Sequence, residues 1–377
     1  PIYNKLVFAE GVCDGKACLR KYPFPMATAF LQLSLVSLVL TAANIVGHLW
    51  EPDQSWIFGP HPLYKLRHVG PVGLLFGFKY GVTNWGLQIL PVGMHLLLQS
   101  TEIVWAIILA EYVNGEDLGV VEILAAFLSG TGSFLIGLHA VDTLETPLMP
   151  ILVNLLPPLI LALCLSTLRM GAQELFRSDN RLAGSISVVE FTAMKLALSA
   201  LTALVLAMLC ERGTKLQSSW WKALAEESDA GVLLVLLGGV FILIFQVNLT
   251  WLTSLTSVAT VGIIGGVKII PQWILNAIFQ LQVDLEPLNI LGAFLVLAAT
   301  VFYAAASVGD SKLIIRSSTT TNSVIPNRIS LRWEPRRRRD RTEAPCPSSN
   351  AFCISSVSSF SSPFLSDRIL LDGSARK

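Results

Sequence analysis

Apolar runs of about 20 residues recur along this chain, each long enough to cross roughly 30 Å of hydrocarbon. Inside a bilayer no water satisfies the backbone, so a spanning segment must hydrogen-bond to itself as a helix or close into a barrel. Only 14% of the residues are charged, against about 25% in an ordinary soluble chain. These features predict an all-α polytopic membrane protein.

Spans are expected at Pro25–Leu49, Gly70–Leu90, Pro91–Tyr112, Val120–Ala140, Leu148–Met170, Ile186–Cys210, Gly231–Thr253, Thr256–Leu281 and Leu288–Ser307. "PIYNKLVF" at the start reads as the last turns of a truncated first helix, and restoring it gives ten. Pro157-Pro158 predicts a kink in the sixth span. From Ser311 onward Ser, Thr, Pro and Arg dominate, with "RRRR" at Arg336–Arg339. This segment cannot bury a core, so residues 310–377 are expected to form a disordered basic tail. Its positive charge, with an even span count, predicts both ends in the cytosol. The six cysteines lack zinc spacing and form no evident disulfide framework.

An internal repeat organises the spans. "DLGVVEILAAFL" (Asp117–Leu128) aligns with "DLEPLNILGAFL" (Asp284–Leu295) at an offset of 284 − 117 = 167, with seven of twelve positions identical. Spans four and five therefore recur as spans nine and ten. Five spans per copy is an odd number, so the copies, 1–140 and 141–309, lie inverted in the membrane. Inverted repeats point to a transporter with its binding site between the halves, near the midplane.

Polar residues inside the spans mark that site. His95, Gln99 and Glu102 share one helix face, spaced i, i+4, i+7. Lys268, Gln272 and Asn276 share roughly one face of span nine. At the repeat offset Lys268 maps to Thr101, between Gln99 and Glu102. A charge at the centre of a span costs about 2.5–3.5 kcal/mol on insertion scales, which favours a water-filled cavity or an opposite charge beside Lys268. The alternative is that these groups only satisfy one another between helices. Pro271 lacks an N–H and leaves the Val267 carbonyl without its usual helical partner. Lys195 either lines the cavity or snorkels to an interface, and Lys79 reads as a snorkelling residue near the end of its span. The four-residue spacing of Gly73, Gly77 and Gly81 reads as a helix-packing stripe.

"NWGLQILPVGMHLLLQSTE" (Asn84–Glu102) resembles the N-x-S-L-K-Y-V-x-V-S-F-x-x-x-x-K stretch of one branch of the drug/metabolite transporter superfamily, the nucleotide-sugar transporters and triose-phosphate translocators. "GGVKIIPQWILNAIF" (Gly265–Phe279), followed by "PLNILGAFLVL", is similar to that branch's ninth-helix lysine segment, and Tyr3–Lys5 with Tyr22–Pro25 is similar to its first loop. The likeness covers nearly all of 1–309. Gln88 and Gln99 stand where many members carry lysines, which argues against compact triose-phosphate or phosphoenolpyruvate substrates. "EFTAMK" (Glu190–Lys195) stands in place of the FYNN of GDP-mannose carriers.

The resemblance implies a non-enzymatic antiporter that exchanges a nucleotide sugar for a nucleoside monophosphate across a Golgi or endoplasmic reticulum membrane. Lys268 would hold phosphate. His95, Gln99, Gln272 and Asn276 would bond sugar or base, with Asn84 and Lys195 as further binding candidates. Glu102 would pair with Lys268 or Lys195 when the cavity is empty. No cofactor or metal is expected. The expected partners are a small anionic substrate and the bilayer, without nucleic acid; a homodimer is compatible with the sequence. Rival readings are a sugar-phosphate/phosphate exchanger of a plastid envelope and a membrane adaptor that transports nothing.

Overall fold

A computed structural model describes residues 22–51, 55–90, 92–138, 148–182, 184–213, 219–227, 229–272, 274 and 287–320, with Asn4 and the pairs 13–14 and 17–18. Among them the protein is helical apart from a two-residue antiparallel ladder that sets Cys13 opposite Cys18. The helices are α1 (Pro25–Trp50), α2 (Pro62–Ile89), α3 (Val92–Gln99), α4 (Glu102–Tyr112), α5 (Val120–Leu138), α6 (Leu148–Phe176), α7 (Val188–Cys210), α8 (Trp220–Ala225), α9 (Asp229–Leu255), α10 (Val258–Gly266) and α11 (Pro287–Thr320). Five are long and apolar enough to cross a membrane: Pro25–Trp50, Met149–Phe176, Val188–Cys210, Gly231–Leu255 and Pro287–Ala306. Large apolar side chains such as Leu38, Phe127, Leu201, Phe241 and Phe294 lie exposed on the outside of the bundle. Lipid covers such a surface; water would not tolerate it.

Several boundaries differ from expectation. Helix α2 starts at Pro62, eight residues before Gly70, and runs through Pro71. Pro62 supplies the preset φ of a first helical position. Helix α6 continues through Pro157-Pro158 to Phe176. Spans four and nine are each broken, at Ser100–Thr101 and at Val267–Lys268. Helix α11 carries on to Thr320, so residues 311–320, "SKLIIRSSTT", are helical where a disordered tail was expected. The rest of that tail lies outside the described residues.

Helix α1 packs on α7, and α5 packs on α11. At the second crossing the backbones nearly touch: a Cβ on Gly132 would lie 2.5 Å from the Gly292 carbonyl, and one on Gly292 equally close to the Gly132 carbonyl. Helix α2 lies against both α6 and α7. A Cβ on Gly77 would meet the Ser199 carbonyl at 2.4 Å, so the Gly73–Gly77 stripe sets the α2–α7 distance. Ser199 donates to the Gly73 carbonyl at 2.9 Å across the same contact.

Polar clamps fix the helix ends. Lys65 pairs with Glu190 at 2.5 Å, both fully buried, and also donates to Ser55 and to the Trp56 carbonyl. Glu116 accepts from the Val258 and Ala259 N–H groups and meets Arg169 at 3.1 Å, which seats the start of α10 beside α6. Glu211 accepts from the N–H groups of Met26 and Ala27 at 2.8 and 2.9 Å and caps α1.

Candidate binding site

Two half-spanning breaks face each other. In span nine the Val267 N–H bonds the Ile264 carbonyl at 3.1 Å and the Lys268 N–H bonds the Gly265 carbonyl at 3.3 Å. In span four the Ser100 N–H bonds the Leu97 carbonyl at 3.1 Å and the Thr101 N–H bonds the Leu98 carbonyl at 3.3 Å. Each pair maps onto the other at the repeat offset, for 268 − 101 = 167 and 264 − 97 = 167. The local causes differ. The Ser100 and Thr101 hydroxyls donate to the Leu97 and Leu98 carbonyls and compete with the helical ladder. In span nine Pro271 withholds its N–H, and the Val267 carbonyl instead accepts from Ile270 at 3.1 Å. The carbonyl expected to go without a helical partner is therefore satisfied by a tighter turn.

Close packing of α10 on α4 and α5 brings the breaks together. A Cβ on Gly262 would lie 2.8 Å from the Ala106 Cβ, and one on Gly266 would lie 2.6 Å from the Ser129 hydroxyl. Lys268 Nζ then donates to Glu102 Oε2. The Lys268 side chain keeps 25% of its exposure and Glu102 keeps 8%. Of the two partners expected for Glu102, Lys268 and Lys195, it is Lys268 that pairs with it.

The other candidates fall into separate groups. His95 Nδ1 lies 2.6 Å from Asn154 Oδ1, and its Nε2 lies 2.8 Å from Gln99 Nε2. An amide nitrogen only donates, so the contacts fit a neutral imidazole protonated on Nδ1. Asn154, absent from the sequence reading, also donates to Pro150 and ties α3 to α6. The buried Oε1 atoms of Gln99 and Gln272 and the hydroxyls of Ser129 and Ser133 have no partner among the described residues. Such groups are costly unless water or a ligand meets them.

Lys195 is fully buried and does not snorkel. It donates to Gln246 Oε1 at 2.6 Å and Thr250 Oγ1 at 2.8 Å and lies over the Phe76 ring. Gln246 in turn donates to the Tyr80 hydroxyl, so this network joins α7, α9 and α2 apart from the ion pair. Asn84 accepts from Asn4 and donates to the Pro25 carbonyl, holding the start of α1 rather than meeting Lys268. Asn276 lies outside the described residues.

Lys79 corrects the sequence reading. It is seventeen residues into α2 and ten from its end. It is half-buried on the stripe of α2 that carries Val72, Phe76 and Thr83, at mid-helix and not near its end.

A comparison with known families meets this geometry at the N-terminal half. Residues 13–138 match the EamA-like transporter family. This EamA-like domain contains α1 to α5, including Lys79 and Glu102. Among solved structures, one described only as the crystal structure of a protein superposes with a TM-score of 0.54 at 12% identity, over 75% of this chain and 88% of its own. At that identity it is similar in fold alone. No curated relative matches the chain. An EamA-like domain over 13–138, of a kind found in the drug/metabolite transporter superfamily, together with five helices long and apolar enough to cross a membrane, supports an integral membrane protein.

Proposed function

We propose that this protein is a secondary antiporter for a phosphorylated sugar compound, exchanging a nucleotide sugar for a nucleoside monophosphate across a Golgi or endoplasmic reticulum membrane. The observation that carries the reading is the Lys268–Glu102 pair at two facing helix breaks. Irregular backbone at membrane depth is tolerated where it lines a cavity. The ion pair neutralises Lys268 when no substrate is bound. An arriving phosphate would replace the Glu102 carboxylate at Lys268, one ion pair for another, so the empty carrier need not hold Lys268 uncompensated. Gln99, His95 and Gln272, with Asn276 further along the span, would read the sugar or base, and the unpartnered amide oxygens are suited to its hydroxyls.

The matched breaks at the repeat offset support two inverted five-helix copies over 1–140 and 141–309. Alternating access then amounts to rocking one copy against the other about a fixed site. A sugar-phosphate/phosphate exchanger would use the same lysine. Uptake by the purified protein in liposomes, against nucleotide sugars, sugar phosphates and amino acids, tests the proposal. Exchange of a nucleotide sugar for its monophosphate supports it. Preference for a sugar phosphate favours the second reading. Amino-acid uptake, or no uptake by a folded protein, removes both.

A further inference from the structure

The interior cluster holds more positive than negative charge. Lys268 is neutralised by Glu102. Lys195 is held by the neutral oxygens of Gln246 and Thr250. Lys79 meets no carboxylate and no hydrogen-bond acceptor among the described residues; its ammonium lies over the ring of neighbouring Tyr80, at 4.6 Å from the centroid.

Helix geometry places this ammonium independently of its charge. Val72, Phe76, Lys79, Thr83 and Gly86 form one stripe of α2, spaced by three and four. The two ends of the stripe meet α6: a Cβ on Gly171 would touch Val72 at 3.5 Å, and a Cβ on Gly86 would collide with Asn154. Lys79 lies midway between those contacts, level with the middle of α6. Val72 and Phe76 share a core with Cys164 of α6, Ala106 of α4 and Val261 of α10. Ala106 is about one turn from Glu102, and Val261 about two turns from Lys268. Lys79 therefore points toward the junction of the helices that carry the ion pair.

We infer that Lys79 supplies the cation that receives the transported anion, the Lys268–Glu102 pair being already neutral. This rests on the reading of the protein as a carrier of phosphorylated compounds and deepens it. The first negative charge of a phosphoryl group settles on Lys79 without breaking the resting pair. A second charge then competes with Glu102 for Lys268. The site is thereby matched to substrates that carry two phosphate charges, on one phosphoryl group or on two adjacent ones, and a neutral sugar gains nothing from it.

The test uses the full-length protein in liposomes with three labelled probes: inorganic phosphate, a hexose monophosphate and a uridine diphosphate sugar. Lys79→Gln and Lys79→Arg are compared with the parent for uptake, and for the shift in melting temperature that each probe causes in detergent. Loss of a charged contact predicts at least about a tenfold fall in uptake for Lys79→Gln, with its probe-induced shift lost and its probe-free melting temperature no lower. Lys79→Arg should retain part of both. Parent-like uptake and shifts in Lys79→Gln would overturn the inference and leave the carrier proposal standing. A folded parent that takes up none of the probes would overturn the carrier proposal and this inference with it. Should Lys79→Gln melt much earlier than the parent, Lys79 is a structural residue and the inference fails.

Discussion

Lys268 and Glu102 form an ion pair across two helix breaks that occupy equivalent places in the two halves of the chain. Neither residue could sit at mid-span alone without a large cost. Together they form a neutral unit beside polar atoms that lack partners. The pair thus neutralises two charges inside the bundle, and under the proposed function Lys268 is the cation that a phosphate would take.

A purely structural pair makes a useful contrast. Lys65 and Glu190 are both fully buried, and Lys65 makes two further hydrogen bonds. Lys65→Met should strand the Glu190 carboxylate and cost about 3–5 kcal/mol of stability. Lys65→Met with Glu190→Met should recover most of that loss, because apolar replacements of similar volume need no counter-charge. Thermal unfolding in detergent reads both effects.

The crossing of α2 and α7 depends on the absence of a side chain at Gly77. Its Cβ would meet the Ser199 carbonyl at 2.4 Å. Gly77→Ala should therefore force the helices apart and lower stability by about 1–3 kcal/mol. Gly130→Ala is the control. Nothing lies within 4 Å of a Cβ there, so its melting temperature should be unchanged or slightly raised.

Glu211 gives a pH signature. Burial raises its carboxyl above the usual carboxylate range, against the opposing pull of the Met26 and Ala27 N–H groups. The unfolded chain releases this proton first as pH rises, so the folded state binds more protons within the window. Its contribution must fall from the ordinary carboxylate value up to the raised one and stay level above it. The melting-temperature difference between the parent and Glu211→Gln, followed across mildly acid pH, should decline in that window. A difference that rises there would contradict the assignment.

Much of this was legible in the sequence. Span lengths located most helices, and the repeat offset placed Lys268 opposite the Gln99–Glu102 stretch, where the ion pair is found. Pro271 announced the break in span nine. The break in span four was hidden, because Ser100 and Thr101 are compatible with a helix and act only by turning their hydroxyls onto local carbonyls. The third span was expected to start at Gly70, yet α2 begins at Pro62 and runs through Pro71, helped by the Lys65 clamp. Lys79 reads in the sequence as a snorkelling residue near the end of its span. Its level in the bundle is set by the packing of α2 on α6, which no local pattern shows. Asn154 was invisible for the same reason.

The central claim is that Lys268 serves transport as well as the fold, and one comparison separates the two roles. Lys268→Ala leaves the 8%-exposed Glu102 carboxylate without its partner, so it should melt earlier than the parent. Glu102→Gln combined with it removes the stranded charge and should restore the melting temperature. The measurement is exchange of a uridine diphosphate sugar for its monophosphate by this double variant in liposomes. The account predicts a protein as stable as the parent that carries almost nothing. Parent-like exchange by the double variant would show that Lys268 only holds Glu102, and would contradict the account.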